Sequence, residues 1–230
     1  MQFVWGAWRG RISRVLGTRT AAAIEVLLIV LITIGHRVYR IIPVDETLPI
    51  FVCGWFSLWL RGVGWKGVGL KRPESWWRAT GIGIGTGVVL QLLSGFVTEP
   101  LIQHLTHRAQ DLSEFRPLVG NLRLTLLYFA LVWSWAAFGE ELSYRGYVLN
   151  RAADLGGRSS VAWVSGLAFI TVLFGFGHSY QGLAGMLDTG LHGLILGIVY
   201  LASGKNLWPA VIAHGVTDSI ALVLVYFGQF

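Results

Sequence analysis

Three apolar stretches of this chain carry residues that could do chemistry: Glu140, Glu141 and Arg145 in the first, His178 in the second, His214 and Asp218 in the third. An ionisable side chain inside a bilayer costs several kcal/mol unless it pairs or lines a wet cavity, so three such insertions argue for one shared polar site. Glutamate and histidine together suit hydrolysis. A desolvated carboxylate takes a proton from water, and an imidazole positions that water or donates to the oxyanion that develops.

The elements that must position these groups are membrane helices. Of 230 residues, 54% are hydrophobic and 13% charged, and the mean hydropathy is +0.60, which excludes an ordinary soluble domain. A hydrocarbon core about 30 Å thick takes about 20 apolar residues per helix. Candidate spans fall at 21–36, 48–61, 79–98, 122–147, 159–178, 183–203 and 207–227. Long apolar runs without strict alternation exclude a membrane β-barrel. The expected fold is therefore all-α, a polytopic transmembrane helix bundle of about seven spans with room for an eighth.

Charge sets an orientation. Arg9, Arg11, Arg14 and Arg19 precede the first span, and Ile34-Gly35-His36-Arg37 makes no cleavage site, so this stretch reads as an uncleaved signal anchor. Alternation then places Arg61, Lys66, Lys71, Arg72, Arg78, Arg151, Arg158 and Lys205 on the same side as the N-terminus. The positive-inside rule makes that side cytoplasmic, in an integral multi-pass protein of the cell membrane. The segment from Thr98 to Gly120 falls outside, with Glu99, Asp111 and Glu114 against Arg108 and Arg116.

The net charge of +6 does not point to nucleic acid, because its basic residues flank spans, where anionic headgroups account for them. The partners are the bilayer and a peptide or membrane-protein substrate; the oligomeric state is open. Cys53, the single cysteine, excludes an internal disulfide and a thiolate cluster. Residues 1–20 read as a basic interfacial segment anchored by Trp5 and Trp8, and 21–230 as one transmembrane domain whose motif region is 132–220. The Gly81-x-Gly83-x-Gly85-x-Gly87 run lacks phosphate-loop spacing, and small residues four apart instead let two membrane helices approach. Pro209 fits the first turn of the last helix.

On a helix, Glu141 and Arg145 lie one turn apart with the acid first, the favourable order for an ion pair. Glu140 then points elsewhere and is left free. Phe174 and His178 share a face, and Gly175 and Gly177 let a neighbour approach or let the helix end. His214 and Asp218 also share a face, where the carboxylate can fix the ring or both can meet a metal or substrate. Taken singly, each set has a plain reading: neutralisation of Arg145, a hydrogen-bonded structural histidine, an isolated polar pair. A single cavity supplied by three helices accounts for all of them. Asp188 and His192 form a fourth pair at the same spacing without motif context, in a supporting or cavity-lining position at most.

The ordered set Glu140-Glu141-x-x-x-Arg145, Phe174-x-x-x-His178 and His214-x-x-x-Asp218 resembles the CAAX protease and bacteriocin-processing family of intramembrane proteases, near the type II CAAX prenyl endopeptidases. The resemblance covers roughly 132–220, including Leu207-Trp208-Pro209-Ala210; the N-terminal half contributes hydropathy alone. It implies peptide-bond hydrolysis at a membrane-associated protein, lipid-modified or hydrophobic. Glu140 would match the water-activating glutamate, His178 its partner, and His214 and Asp218 the oxyanion or metal pair, with Glu141, Arg145 and Phe174 supporting them.

The family's metalloprotease description implies one divalent ion, zinc, held by Glu140, His178 and His214. The compact H-E-x-x-H spacing is missing, so a metal-free glutamate and histidine scheme stays open. Where many relatives have asparagine this chain has Asp218, which when ionised cannot donate to an oxyanion; it would orient His214, ligate a cation or stay protonated. Alternation puts Glu140 towards the inner side and His178 at the outer end, so tilt or different boundaries are required. Two other functions compete: a catalytically silent binding or immunity protein of the same fold, and a proton-coupled transporter, which the small size and missing inverted repeats disfavour.

Overall fold

The computed structural model describes residues 10–229. Trp5, Trp8 and Arg9, expected to anchor the N-terminus, lie outside the described residues. A short helical stretch at 10–16 precedes the first span. The spans are α1 (Arg19–Arg37), α2 (Thr47–Arg61), α3 (Trp76–Thr106), α4 (Leu122–Leu155), α5 (Ser160–Gly177), α6 (Gly182–Ala202) and α7 (Leu207–Tyr226). Among the described residues there is no strand. Six of these helical segments are long and apolar enough to cross a bilayer, and α2 is a shorter apolar helix. The protein is an all-α integral membrane bundle.

Local sequence sets the helix starts. The side chains of Thr18, Ser75, Asn121, Ser159 and Asn206 each accept from a backbone N–H of the first turn that follows, satisfying donors that an apolar end would leave bare. Gly62, at φ 68°, closes α2 in the left-handed conformation that glycine adopts without strain. Pro209 sits in the first turn of α7. The glycine run of α3 packs rather than binds. A Cβ at Gly83 would lie 2.6 Å from Ile212, and one at Gly87 2.6 Å from the Ala213 carbonyl, so these small residues are what lets α3 lie against α7.

Two helices change pitch. In α3, Ser94–Thr98 form a π turn, and Ser94 (2.9 Å) and Thr98 both donate to Asp188 of α6. In α4, Val132–Val148 are π-helical and carry the whole first motif. Such i→i+5 segments are rare and gather at functional sites.

The two ends of the bundle are distinct. At one, Arg37 lies over the Tyr180 ring, Asp111 N–H donates to the Gln181 carbonyl, and Gly120 N–H to that of Tyr226. At the other, Leu207 N–H donates to Gly69 and Trp76 meets Trp208 at 5.3 Å. α4 runs eight residues past the 147 read from hydropathy, to Leu155. Glu140 is therefore near mid-span rather than at the inner side, and the apparent mismatch in depth with His178 disappears.

Candidate active site

The first motif is built on a buried ion pair. Arg145 donates to Glu141 Oε1 at 2.7 Å, and neither side chain is exposed. Its second terminal nitrogen donates to the Gly193 carbonyl of α6 at 2.8 Å. A Cβ at Gly193 would come within 3.3 Å of that guanidinium, so glycine makes room for it. Glu141 is not consumed by Arg145: the same Oε1 lies 2.9 Å from His214 Nδ1 on α7. A carboxylate paired with arginine only accepts, so the network assigns the Nδ1 proton to His214. His214 Nε2 faces Asp218 Oδ2 at 3.5 Å.

Glu140 turns away from this network, and its buried Oε2 has no hydrogen-bond partner. It lines a cavity of about 260 Å³ together with Tyr144, His178 and Tyr180. His178 ends α5 and donates from Nδ1 to the Phe174 carbonyl at 2.9 Å, which leaves Nε2 as an acceptor towards a water. The preceding glycines have separate reasons. A Cβ at Gly175 would strike the Met186 carbonyl at 2.5 Å, and one at Gly177 would strike Glu46 Oε1 at 2.6 Å.

Phe174 is the hub of the three motifs. Its ring centroid lies 4.9 Å from His178, 4.9 Å from Tyr144 and 6.2 Å from His214, with the Arg145 guanidinium 4.7 Å above its face. The structure thus puts Glu140 and His178 on one cavity wall. His214 and Asp218 lie off that wall, joined to it through Glu141 and Phe174, and close enough to Glu140 to interact electrostatically. Asp188 and His192 pair at 3.3 Å, but neither lines the cavity.

The N-terminal half contributes more than hydropathy. Arg37, Asp45, Glu46 and Thr47, from the end of α1 and the start of α2, complete the cavity with Glu114. Arg37 holds Glu46 at 2.8 Å and Asp45 at 3.4 Å. Burial pushes the Glu46 carboxyl above its ordinary 4.5, with Arg37 pulling it back. No motif marks these residues. The only signal available was a charged loop, His36 to Glu46, closing a pair of apolar helices.

The donor set does not fit a metal on Glu140, His178 and His214. Both ring nitrogens of His214 already face carboxylates. Among the described residues, the three that bring ligand atoms within 4.8 Å of one another are His36, Asp45 and Glu46. There Arg37 already supplies the cation, and His36 Nε2 stands 3.4 Å from Glu46.

No curated protein and no solved structure matches the chain. Residues 122–220 match the family described as type II CAAX prenyl endopeptidase Rce1-like, and that stretch runs from the start of α4 through all three motifs to Asp218. By that match, the motif-bearing segment of this membrane protein is similar to the Rce1-like family, the one its motif order resembles.

Proposed function

We propose that the protein is an intramembrane endopeptidase that hydrolyses a peptide bond of a membrane-associated protein with a Glu140-activated water. The observation that carries this reading is the shared cavity: an acid with an unpartnered buried oxygen and an imidazole with a free nitrogen face the same space. The Rce1-like match supports the reaction class.

In the scheme, a cavity water donates one hydrogen bond to His178 Nε2 and gives its proton to Glu140 as its oxygen attacks the carbonyl carbon. His214 and Asp218, just behind the cavity wall, share a proton in this scheme and stabilise the developing oxyanion once substrate reaches them, and Glu141 with Arg145 fixes the ring. Glu140 then returns its proton to the amine nitrogen as the C–N bond breaks. Asp218 thereby does by proton sharing what an asparagine would do by its amide. The residues close this cycle among themselves, and no step passes through a metal. The N-terminus and the basic loops are cytoplasmic in this reading, and the membrane is the cell membrane.

The test compares membrane proteomes of cells carrying wild-type protein or Glu140→Ala. Truncated products that vanish with the variant, at equal amounts of folded protein, support the proposal and identify substrates. An unchanged set of products sinks it. A cellular phenotype fully rescued by Glu140→Ala would instead favour a silent binding protein.

A further inference from the structure

The cavity opens at the end of the bundle that carries fewest cations. Its wall takes residues from the α1–α2 loop, the 107–121 loop and the α5–α6 junction, and the Asp111 to Gln181 hydrogen bond with the Arg37 contact on Tyr180 shows that they share one end. Lys66, Lys71, Arg72, Arg158 and Lys205 lie in connections at the opposite end, where Lys71 reaches the Gly204 carbonyl and the 10–16 helix meets Arg61. Short basic loops stay in the cytoplasm, so the mouth faces away from it.

The mouth is also acidic. Asp45, Glu46, Glu114 and Glu140 stand against one guanidinium, Arg37. That guanidinium is neutralised by Glu46 and capped by the Tyr180 ring at 5.0 Å. Asp45 is half-exposed at the rim, and Glu114 is exposed and makes no ion pair among the described residues. A narrow cleft lined by one sign of charge concentrates the opposite sign.

We infer that this cavity is an extracytoplasmic, cation-selecting entrance, through which a peptide segment bearing lysine or arginine reaches Glu140 with its basic side chain held by Asp45 and Glu114. The identity of the guest as a substrate rests on the proteolytic reading; the side and the charge preference of the entrance do not. Arg37 also has a positioning part, since its short pair with Glu46 shapes the wall while its longer contact with Asp45 leaves that acid half-exposed at the rim.

The experiment reads side and charge together in the full-length protein. Cys53→Ala removes the native thiol, and Tyr180→Cys or, one residue from Glu114, Ser113→Cys places a new one at the cavity. Lys71→Cys marks the opposite end. Intact cells are treated with two membrane-impermeant thiosulfonates, one with a trimethylammonium group and one with a sulfonate. The expected result is modification of both cavity cysteines in intact cells and of Lys71→Cys only after permeabilisation. At the cavity the cationic reagent reacts about tenfold faster than the anionic one, each rate corrected for a free thiol. Adding Asp45→Asn and Glu114→Gln brings that ratio towards unity. Modification confined to permeabilised cells, labelling of all three positions without permeabilisation, or a ratio that favours the anionic reagent overturns the inference. None of these readouts involves cleavage, so an inactive Glu140→Ala comparison and a failed entrance remain distinguishable.

Discussion

Two buried charge clusters lie along α4, one near its middle and one at its C-terminal end, and they are built on different terms. At the basic end every carboxylate oxygen is taken. Glu25 accepts from Arg151 at 2.8 Å, Ser57 at 2.7 Å and Tyr147 at 2.7 Å, and Asp154 accepts from Arg151 at 2.9 Å and Arg158 at 2.7 Å. Towards the cavity, Glu141 is held through Oε1 alone, by Arg145 and His214, and Glu140 next to it makes no side-chain hydrogen bond and faces open space. A closed ion network locks helices together, whereas an unpaired acid stores reactivity that packing elsewhere must support.

The largest effects should separate the two clusters. Glu140→Ala is expected to lower cleavage of a substrate found in the proteome comparison by about 10² to 10⁴-fold, with thermal unfolding in detergent unchanged or raised. Arg151→Leu should do the reverse. It strips Glu25 and Asp154 of a shared, fully buried partner and costs about 3–5 kcal/mol of stability; chemical unfolding would measure this, and activity per folded molecule should hold. Loss of turnover in Arg151→Leu without loss of stability would erase the distinction.

Smaller changes sharpen it. Tyr147→Phe removes one of three donors to Glu25 and should cost about 1.5 kcal/mol in the same unfolding assay. The Glu46 carboxyl should make stability depend on pH at the cavity end. Its folded value is raised above 4.5 by burial, so the folded state holds the proton more tightly and stability falls as pH climbs from 4.5 through the raised value. Glu46→Gln should remove that part of the slope in a pH series of melting temperatures. An identical slope in both proteins would assign the dependence elsewhere.

Much of the bundle was legible in the sequence. All seven apolar runs became helices close to where hydropathy places them, because in lipid the backbone must bond within its own segment. The i, i+4 spacing of Glu141 and Arg145 gave an ion pair even in the π-helical stretch, since neighbours one turn apart stay adjacent in either helix. The depth of Glu140 was less legible, because hydropathy stops α4 at its polar residues while the buried Arg145, Asn150 and Arg151 let it continue. The cavity contributions of Arg37, Asp45, Glu46 and Glu114 had no motif at all.

The sequence by itself determined that this chain spans a membrane as helices, where each helix begins, and which turns carry paired charges, for these follow from local hydrogen bonding and from the exclusion of water. Only the tertiary structure decided that Glu141 would tie Arg145 to His214 while Glu140 stayed free, and that Phe174 would seat all three motifs. It also brought a loop a hundred residues upstream into the wall of the cavity. Those contacts join helices distant in the chain, and their distances are set by where glycines such as Gly177 and Gly193 allow neighbours to come close, which no spacing within a single helix encodes.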